Sequence, residues 1–292
     1  MIGKNFIYNG VAIPYSAEEG RNSGWYADVL WTGMPTRNIV NPRQDWHGSI
    51  SKPTFADGKI IQINGQIFST SKVTRGTVKN TVANLFKIED FPDEVNELKK
   101  LEFTDDDDTD WFIMCKAYTM PEYQHERGDP VINFFTQLFA PDPLILSTTL
   151  KTATGIYGLL GGVTLPVELP VAFGSINGVL NSFTCVNDGN FAAKAKVIIS
   201  GDIKNPKIYN LTTGRFFQVL VDMGSNDELI IDTENTTVEL NGVNVLANRA
   251  EGSNWPFVNS GTNYFLLTGE DFDFDDYNKA SVEVQWRDTK LV

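Results

Sequence analysis

The sequence predicts a mostly β protein in two domains. Alternating apolar and polar segments recur along the chain, and short strands with turn residues between them dominate its second half. Helical periodicity is confined to one or two short stretches. The 292 residues suffice for two separate cores. The boundary is expected near residue 150, giving domains 1–150 and 151–292, the second opening with a linker arm over 151–175.

In the first half, Asp57-Gly58 leads into an alternating run from Lys59 to Ile67, and Asn64-Gly65 within it reads as the turn of a hairpin. Trp111 to Tyr118 is the next strand. It follows the acidic run Asp105 to Asp108, expected in a solvated loop, and is ended by Pro121. Val131 to Phe139 is a third strand, closed by Pro141-Asp142-Pro143. A helix is predicted over Thr77 to Phe86, because Val78, Val82, Leu85 and Phe86 recur at three- and four-residue spacing. A second, shorter helix is predicted from Asp93 to Lys100, with acids in its first turn and Lys99-Lys100 in its last.

Residues 151–178 change character. Gly155, Gly158, Gly161 and Gly162 cluster, then Pro166, Pro170 and Gly174 follow, as in a connector. Val167, Leu169, Val171 and Phe173 alternate, which suits an extended arm. Beyond it, strands are expected at Ala195–Ser200, Phe216–Val221, Glu228–Asp232, Thr237–Leu240, Asn263–Leu267 and Ser281–Trp286. Their spacing, roughly 8–12 residues, is that of an all-β sandwich or barrel.

Charge narrows the function classes. The net charge is −13, with 24 basic against 37 acidic residues. The basic residues are scattered, so a nucleic-acid binder or a ligand of anionic membranes is not expected. No apolar run is long enough for a transmembrane helix, and Met1 to Asn5 does not open a secretory signal. Cys115 and Cys185 lie in apolar or β-branched settings. They read as two buried thiols, with an interdomain disulfide as the alternative.

No catalytic, cofactor or metal site emerges. His47 and His125 have no partner ligand at metal spacing, and neither a nucleophile elbow nor a phosphate loop occurs. The glycines from Gly155 to Gly162 lack the following helix that a dinucleotide site needs. Asp271, Asp273, Asp275 and Asp276 start like a calcium loop, but Asp276 stands where its glycine belongs and Val282 where its bidentate Glu belongs. Carboxylates are plentiful, yet no acid pair of a glycosidase is placed. The 6 Trp and 19 Phe raise a carbohydrate-binding module as an alternative function. Trp111 and Phe134 sit in strand patterns and are expected in the core, whereas Trp255, beside Pro256, is the candidate exposed ring.

One ordered series of motifs points further. Asn187-Asp188-Gly189 is a turn, followed by a strand. Asn205-Pro206-Lys207-Ile208-Tyr209-Asn210 runs into Thr212-Thr213-Gly214. Leu229-Ile230-Ile231-Asp232 and Val238-Glu239-Leu240-Asn241-Gly242 come next, then Gly261-Thr262-Asn263 before an apolar strand. Upstream stand Ile61-Gln62-Ile63-Asn64-Gly65, Leu101-Glu102-Phe103, and Val131-Ile132-Asn133-Phe134 leading to Ala140-Pro141-Asp142-Pro143. In this order the motifs resemble the siphophage distal tail protein family over nearly the whole chain.

The resemblance implies the following. The N-terminal domain would be a tail-tube-like β-barrel or sandwich forming a ring, most simply a hexamer. The C-terminal domain would be a galectin-like β-sandwich projecting outward. The partners would be further copies of the chain, the tail tube protein, a tail-associated or tip protein and a receptor-binding protein. The location would be the distal end of the tail in the virion, after synthesis in the host cytoplasm. DNA would pass through the ring without being bound. A tail-tube or phage-derived tail-device component shares this architecture. The family carries no defining catalytic residue, so the motif residues above are structural turns.

Overall fold

In the computed structural model, residues 3–33, 36–37, 40–42, 49–51, 55–68, 72–88, 98–124, 131–157, 182–270 and 279–291 are described. They fall into two units, Met1–Thr148 with Leu291–Val292, and Thr149–Lys290.

The first unit is built from antiparallel strands. One sheet runs in the order Val11–Ala12, Lys4–Tyr8, Lys99–Thr104, Asp110–Ala117, with Ile145–Ser147 on the far edge. The other runs Trp25–Trp31, Lys59–Phe68, Val131–Ala140, Glu122–Gln124. The sheets join at one corner, where Lys116 and Ala117 pair with Phe139 and Leu138. At the opposite corner they do not close. There the Ala27 N–H donates to Pro14 O at 2.8 Å. The unit is therefore an open sandwich and not a closed barrel.

Alternation places one face of each strand inside. Ile61, Ile63 and Ile67 face Phe134, Leu138, Trp25 and Ala27 in one continuous core with Leu101, Phe103, Trp111 and Ile113. The helix Lys72–Leu85 adds Val78, Val82 and Leu85, and Phe86 just beyond it stacks on Tyr8 at 5.6 Å. The helical face expected from the sequence is thus the buried one, and the helix starts five residues earlier than predicted. Two other expectations are corrected. Asn64-Gly65 is no hairpin turn: both residues lie within the single ten-residue strand Lys59–Phe68. Lys99 and Lys100 begin a strand instead of ending a helix. The rest of that predicted helix, 93–97, lies outside the described residues.

The second unit is a two-sheet sandwich. Its larger sheet runs Lys151–Ile156, Ala280–Trp286, Ala195–Gly201, Glu228–Asp232, Thr237–Leu240, Val243–Asn244. The smaller runs Phe183–Asn187, Gly261–Thr268, Lys207–Asn210, Arg215–Gln218. Val197, Ile199, Leu229, Ile231, Val282 and Val284 from the first meet Phe183, Cys185, Ile208, Phe217, Phe265 and Leu267 from the second. The start of the predicted linker is corrected: 151–156 is a strand paired with 281–286. Gly155 belongs there because an added Cβ would lie 2.7 Å from Phe183 Cε1. The remainder of the predicted arm, from 158, lies outside the described residues.

Candidate interaction surfaces

Three buried asparagines organise one end of the second unit. The Asn187 side chain donates to Phe191 O at 2.8 Å and Val258 O at 3.0 Å. Its Oδ1 accepts from Gly189 N at 3.0 Å and Thr289 N at 3.3 Å. Asn210 donates to Phe257 O at 3.4 Å and to Asn263 Oδ1 at 3.2 Å, and accepts from Thr212 N at 3.0 Å. Asn263 donates to Asn259 O at 2.7 Å and Gly261 O at 3.1 Å, and accepts from Asn259 N at 3.1 Å. Each amide uses both its donors and its acceptor, as a buried amide must. Together they hold the loop 257–261 from three neighbouring strands.

The other motif residues are turn and cap chemistry. Gly189 packs against the backbone of Thr289, where an added Cβ would lie 2.6 Å from its N and C. Asn205 and Asn241 have φ of 49° and 50°, and Gly214 and Gly242 have 69° and 78°. These left-handed values suit Asn and Gly and strain other residues. Pro206 is buried and its carbonyl accepts from Val219 N at 3.0 Å. Asn205 Nδ2 donates to Glu270 at 2.7 Å, and the Thr213 hydroxyl accepts from Arg215 N at 3.4 Å. Asp232 Oδ1 accepts from Glu234 N and Asn235 N at 2.8 and 3.1 Å. Asn241 Oδ1 accepts from Glu228 N at 2.9 Å, and its Nδ2 donates to Asp227 at 2.8 Å. In the first unit, Asp142 Oδ1 accepts from Leu144 N at 3.1 Å, between exposed Pro141 and buried Pro143.

The partners of these turns come from other parts of the chain. Lys151 pairs with Asp188 and Asp288, both at 2.7 Å, and donates to Val186 O at 3.2 Å. Asp288 also accepts from Asp188 N at 3.0 Å. Burial lowers the Lys151 pKa, but hydrogen bonds and attraction from the two aspartates outweigh it, so the ammonium is held above its usual range. Lys151 lies 37 positions from Asp188, and Asp188 lies 100 from Asp288, so no local pattern announces them.

Trp255 is half-buried, contrary to the expectation of an exposed ring. It lies on Phe217 with ring centroids 4.9 Å apart. The adjoining cavity is about 20 Å³, room for roughly one water molecule and far too small for a sugar ring. Trp111 and Phe134 are core residues as expected. Cys115 and Cys185 are free and buried, each thiol pushed up to about 12 by burial, so the disulfide alternative is set aside. Asp106 to Asp108 are exposed as expected, but Asp105 is buried and accepts from Asp106 N at 2.8 Å. Among the described residues no cluster of three His, Cys, Asp or Glu could hold a metal. His47, His125 and Asp271 to Asp276 lie outside those residues.

The first unit presents two further surfaces. The outward face of its second sheet carries two rows across four strands: Asp28, Asn64, Phe135, Glu122, then Tyr26, Gln66, Asn133, Gln124. They line a shallow groove of about 350 Å³. Amides dominate it, and no Lys or Arg stands in either row. At the open corner of the sandwich a larger groove, about 760 Å³, runs between Lys4 and Phe6 on one wall and Val29 and Trp31 on the other.

Sequence comparison matches residues 188–288 to the family described as siphovirus-type tail component, C-terminal domain. The match lies within the C-terminal unit. The family is one of structural phage-tail components, and the resemblance read from the ordered motifs is borne out. A search of curated proteins finds no match. Among solved structures the chain is similar to the SPP1 Dit protein, described as a paradigm of the hub adsorption apparatus in phages infecting Gram-positive bacteria. The TM-score is 0.64 at 8% identity, covering 97% of this chain and 98% of that one. It is also similar to a chain in the phage p2 baseplate in its activated conformation, with a TM-score of 0.42 at 10% identity over 91% of each chain. The first likeness means that both units, and not only the matched 188–288, share the fold of that solved protein.

Proposed function

We propose that this chain is the distal tail hub subunit of a siphophage. Copies form a ring, hexameric in its simplest form, that joins the tail tube to the tail-tip protein and the receptor-binding apparatus. Residues 1–150 would form the ring and 151–292 would project from it as a galectin-like domain. The protein would stand at the distal end of the virion tail. One observation carries this reading: a fold shared over 97% of the chain with a protein described as a hub. The family match over 188–288 supports it from sequence.

The amide-rich face of the first unit fits a channel wall. Phosphate binding needs cations, and the rows through Asp28 and Tyr26 offer none. Lys116 stands at the margin of that face, opposite Phe139. DNA would pass such a wall without adhering. The carbohydrate-binding alternative draws no support from Trp255, whose ring lies on Phe217.

Native mass spectrometry with electron microscopy of the purified chain tests the reading. Closed rings of a single stoichiometry are expected. A chain that stays single at every concentration, with or without tail proteins, would overturn it.

A further inference from the structure

Two turns of the chain have the same two residues and the same backbone. Asn9-Gly10 joins Lys4–Tyr8 to Val11–Ala12, with φ of 50° and 77°. Asn241-Gly242 joins Thr237–Leu240 to Val243–Asn244, with φ of 50° and 78°. Both are left-handed pairs of the kind that closes a tight hairpin. All four residues are exposed, and an added Cβ on either glycine would meet nothing within 4 Å.

The turns differ in what holds the asparagine side chain. Asn241 Oδ1 accepts from Glu228 N at 2.9 Å, and its Nδ2 donates to the Asp227 carboxylate at 2.8 Å. The Asn9 N–H donates to Lys100 O at 3.0 Å, but its side-chain amide has no hydrogen bond among the described residues. The Gly10 N–H has none there either. A third such dipeptide, Asn64-Gly65, is fixed within Lys59–Phe68 by strands on both sides. The fourth, Asn177-Gly178, lies outside the described residues.

An asparagine before a glycine can close into a ring. The glycine N attacks the side-chain carbonyl carbon and gives up its proton, and the amide nitrogen leaves as ammonia. Glycine favours this step, because it carries no Cβ to obstruct the approach and its backbone moves freely. Water then opens the ring at either carbonyl and leaves aspartate or isoaspartate, each with one negative charge. Water is the only co-reactant.

We infer that Asn9 is a site of spontaneous deamidation, and that the matching turn at Asn241 is protected by the two hydrogen bonds of its amide. Ring closure at Asn241 must break both bonds first, which should slow it by on the order of tenfold relative to Asn9. Closure at Asn64 must first open a strand paired on both sides, so it should lag as well. Isoaspartate at position 9 lengthens the backbone of a two-residue turn, so Val11 and Ala12 should lose their pairing with Tyr8 and Ile7. The chain, at −13, becomes one unit more negative. None of this depends on the hub reading.

Peptide mapping by mass spectrometry, on the full chain held at mildly alkaline pH, tests the inference. In the folded chain Asn9 should convert first, to a mixture of aspartate and isoaspartate, with Asn64 and Asn241 behind it. In denaturing urea the three should convert at similar rates, since each follows a large apolar or aromatic residue, Tyr8, Ile63 or Leu240. Asp227→Ala removes the acceptor of Asn241 Nδ2 and should speed conversion at Asn241 while leaving Asn9 unchanged. Equal rates at Asn9 and Asn241 in the folded chain, or a lag at Asn241 that persists in urea, would overturn the inference. So would an Asp227→Ala chain in which Asn241 lags as in the parent. Should Asp227→Ala fail to fold, the comparison of folded and urea-unfolded parent chain decides alone.

Discussion

Asn210 Nδ2 donates to Asn263 Oδ1 at 3.2 Å, joining two strands through amides that are both buried. The bond matters because of what else each amide holds. Asn263 also fixes Asn259 at both its N–H and its C=O, and Asn210 holds the Thr212 N–H of the following turn. Removing a buried partner leaves the others without hydrogen bonds, at about 1–3 kcal/mol for each group stranded. Asn263→Ala should therefore lower the stability of the C-terminal unit by about 3 kcal/mol or more. Asn254→Ala, whose Nδ2 makes one exposed bond to Gly252 O, should change it by less than about 0.5 kcal/mol. Urea unfolding of the full chain, followed by the fluorescence of Trp255 and Trp286, measures both.

Gly189 and Gly214 predict losses of different size for the same substitution. A Cβ at Gly189 would press on the Thr289 backbone, which Asn187 and Phe191 hold in place. Gly214 has a positive φ of 69° but open space around it. Gly214→Ala should thus cost only the left-handed penalty, about 1–2 kcal/mol. Gly189→Ala should cost more, because backbone must move. Equal losses of melting temperature in the two variants would refute this account.

What could be read in advance depended on whether an element is decided locally. Asn241-Gly242 is a tight turn because two consecutive left-handed residues suffice to make one, and the dipeptide announces it. Asn64-Gly65 is the same dipeptide and forms no turn. Strands 25–31 and 131–140 pair with it from both sides, so tertiary pairing overrides the local preference. One clue was present: Ile61, Ile63 and Ile67 keep a single alternation through Gly65. The helical face of Val78, Val82, Leu85 and Phe86 was legible from period alone. The Lys151 cluster with Asp188 and Asp288 was not, because it depends on strands meeting across the chain. Trp255 misled for a similar reason: its loop position suggested exposure, while Phe217 supplies a ring to pack on.

Gly65 lies where the Phe134 ring crosses the strand. An added Cβ would overlap that ring and stand 2.7 Å from Tyr26 O. Gly65→Ala should destabilise the N-terminal unit by about 1–3 kcal/mol, as overpacking does. Combined with Phe134→Leu, the two losses should not add, since the smaller side chain relieves the same clash. A double-mutant cycle in urea checks the sign of the coupling; strict additivity would mean that the ring is not the obstacle.

Asp227 and Asp232 flank the strand Glu228–Asp232, and both have carboxyl pKa values below the usual range. For Asp227 the causes are the Gly224 N–H and the Asn241 amide. For Asp232, burial pushes upward, but hydrogen bonds from Asn235 and Glu234, with the nearby Lys196, prevail. A pKa lowered on folding means that the folded state favours the ionised form. The resulting stabilisation is fully present above the unfolded value of 3.8 and is lost as pH falls through the folded values. Stability of the C-terminal unit should hold between pH 7 and pH 5 and decline below about pH 4. Asp232→Asn should reduce the acid-side slope while costing stability at pH 7, where the ionised carboxylate accepts from Glu234 N and Asn235 N. Urea midpoints measured from pH 7 to pH 2.5 would show this as two curves converging toward acid. Parallel curves would mean that Asp232 titrates alike in the folded and unfolded chain.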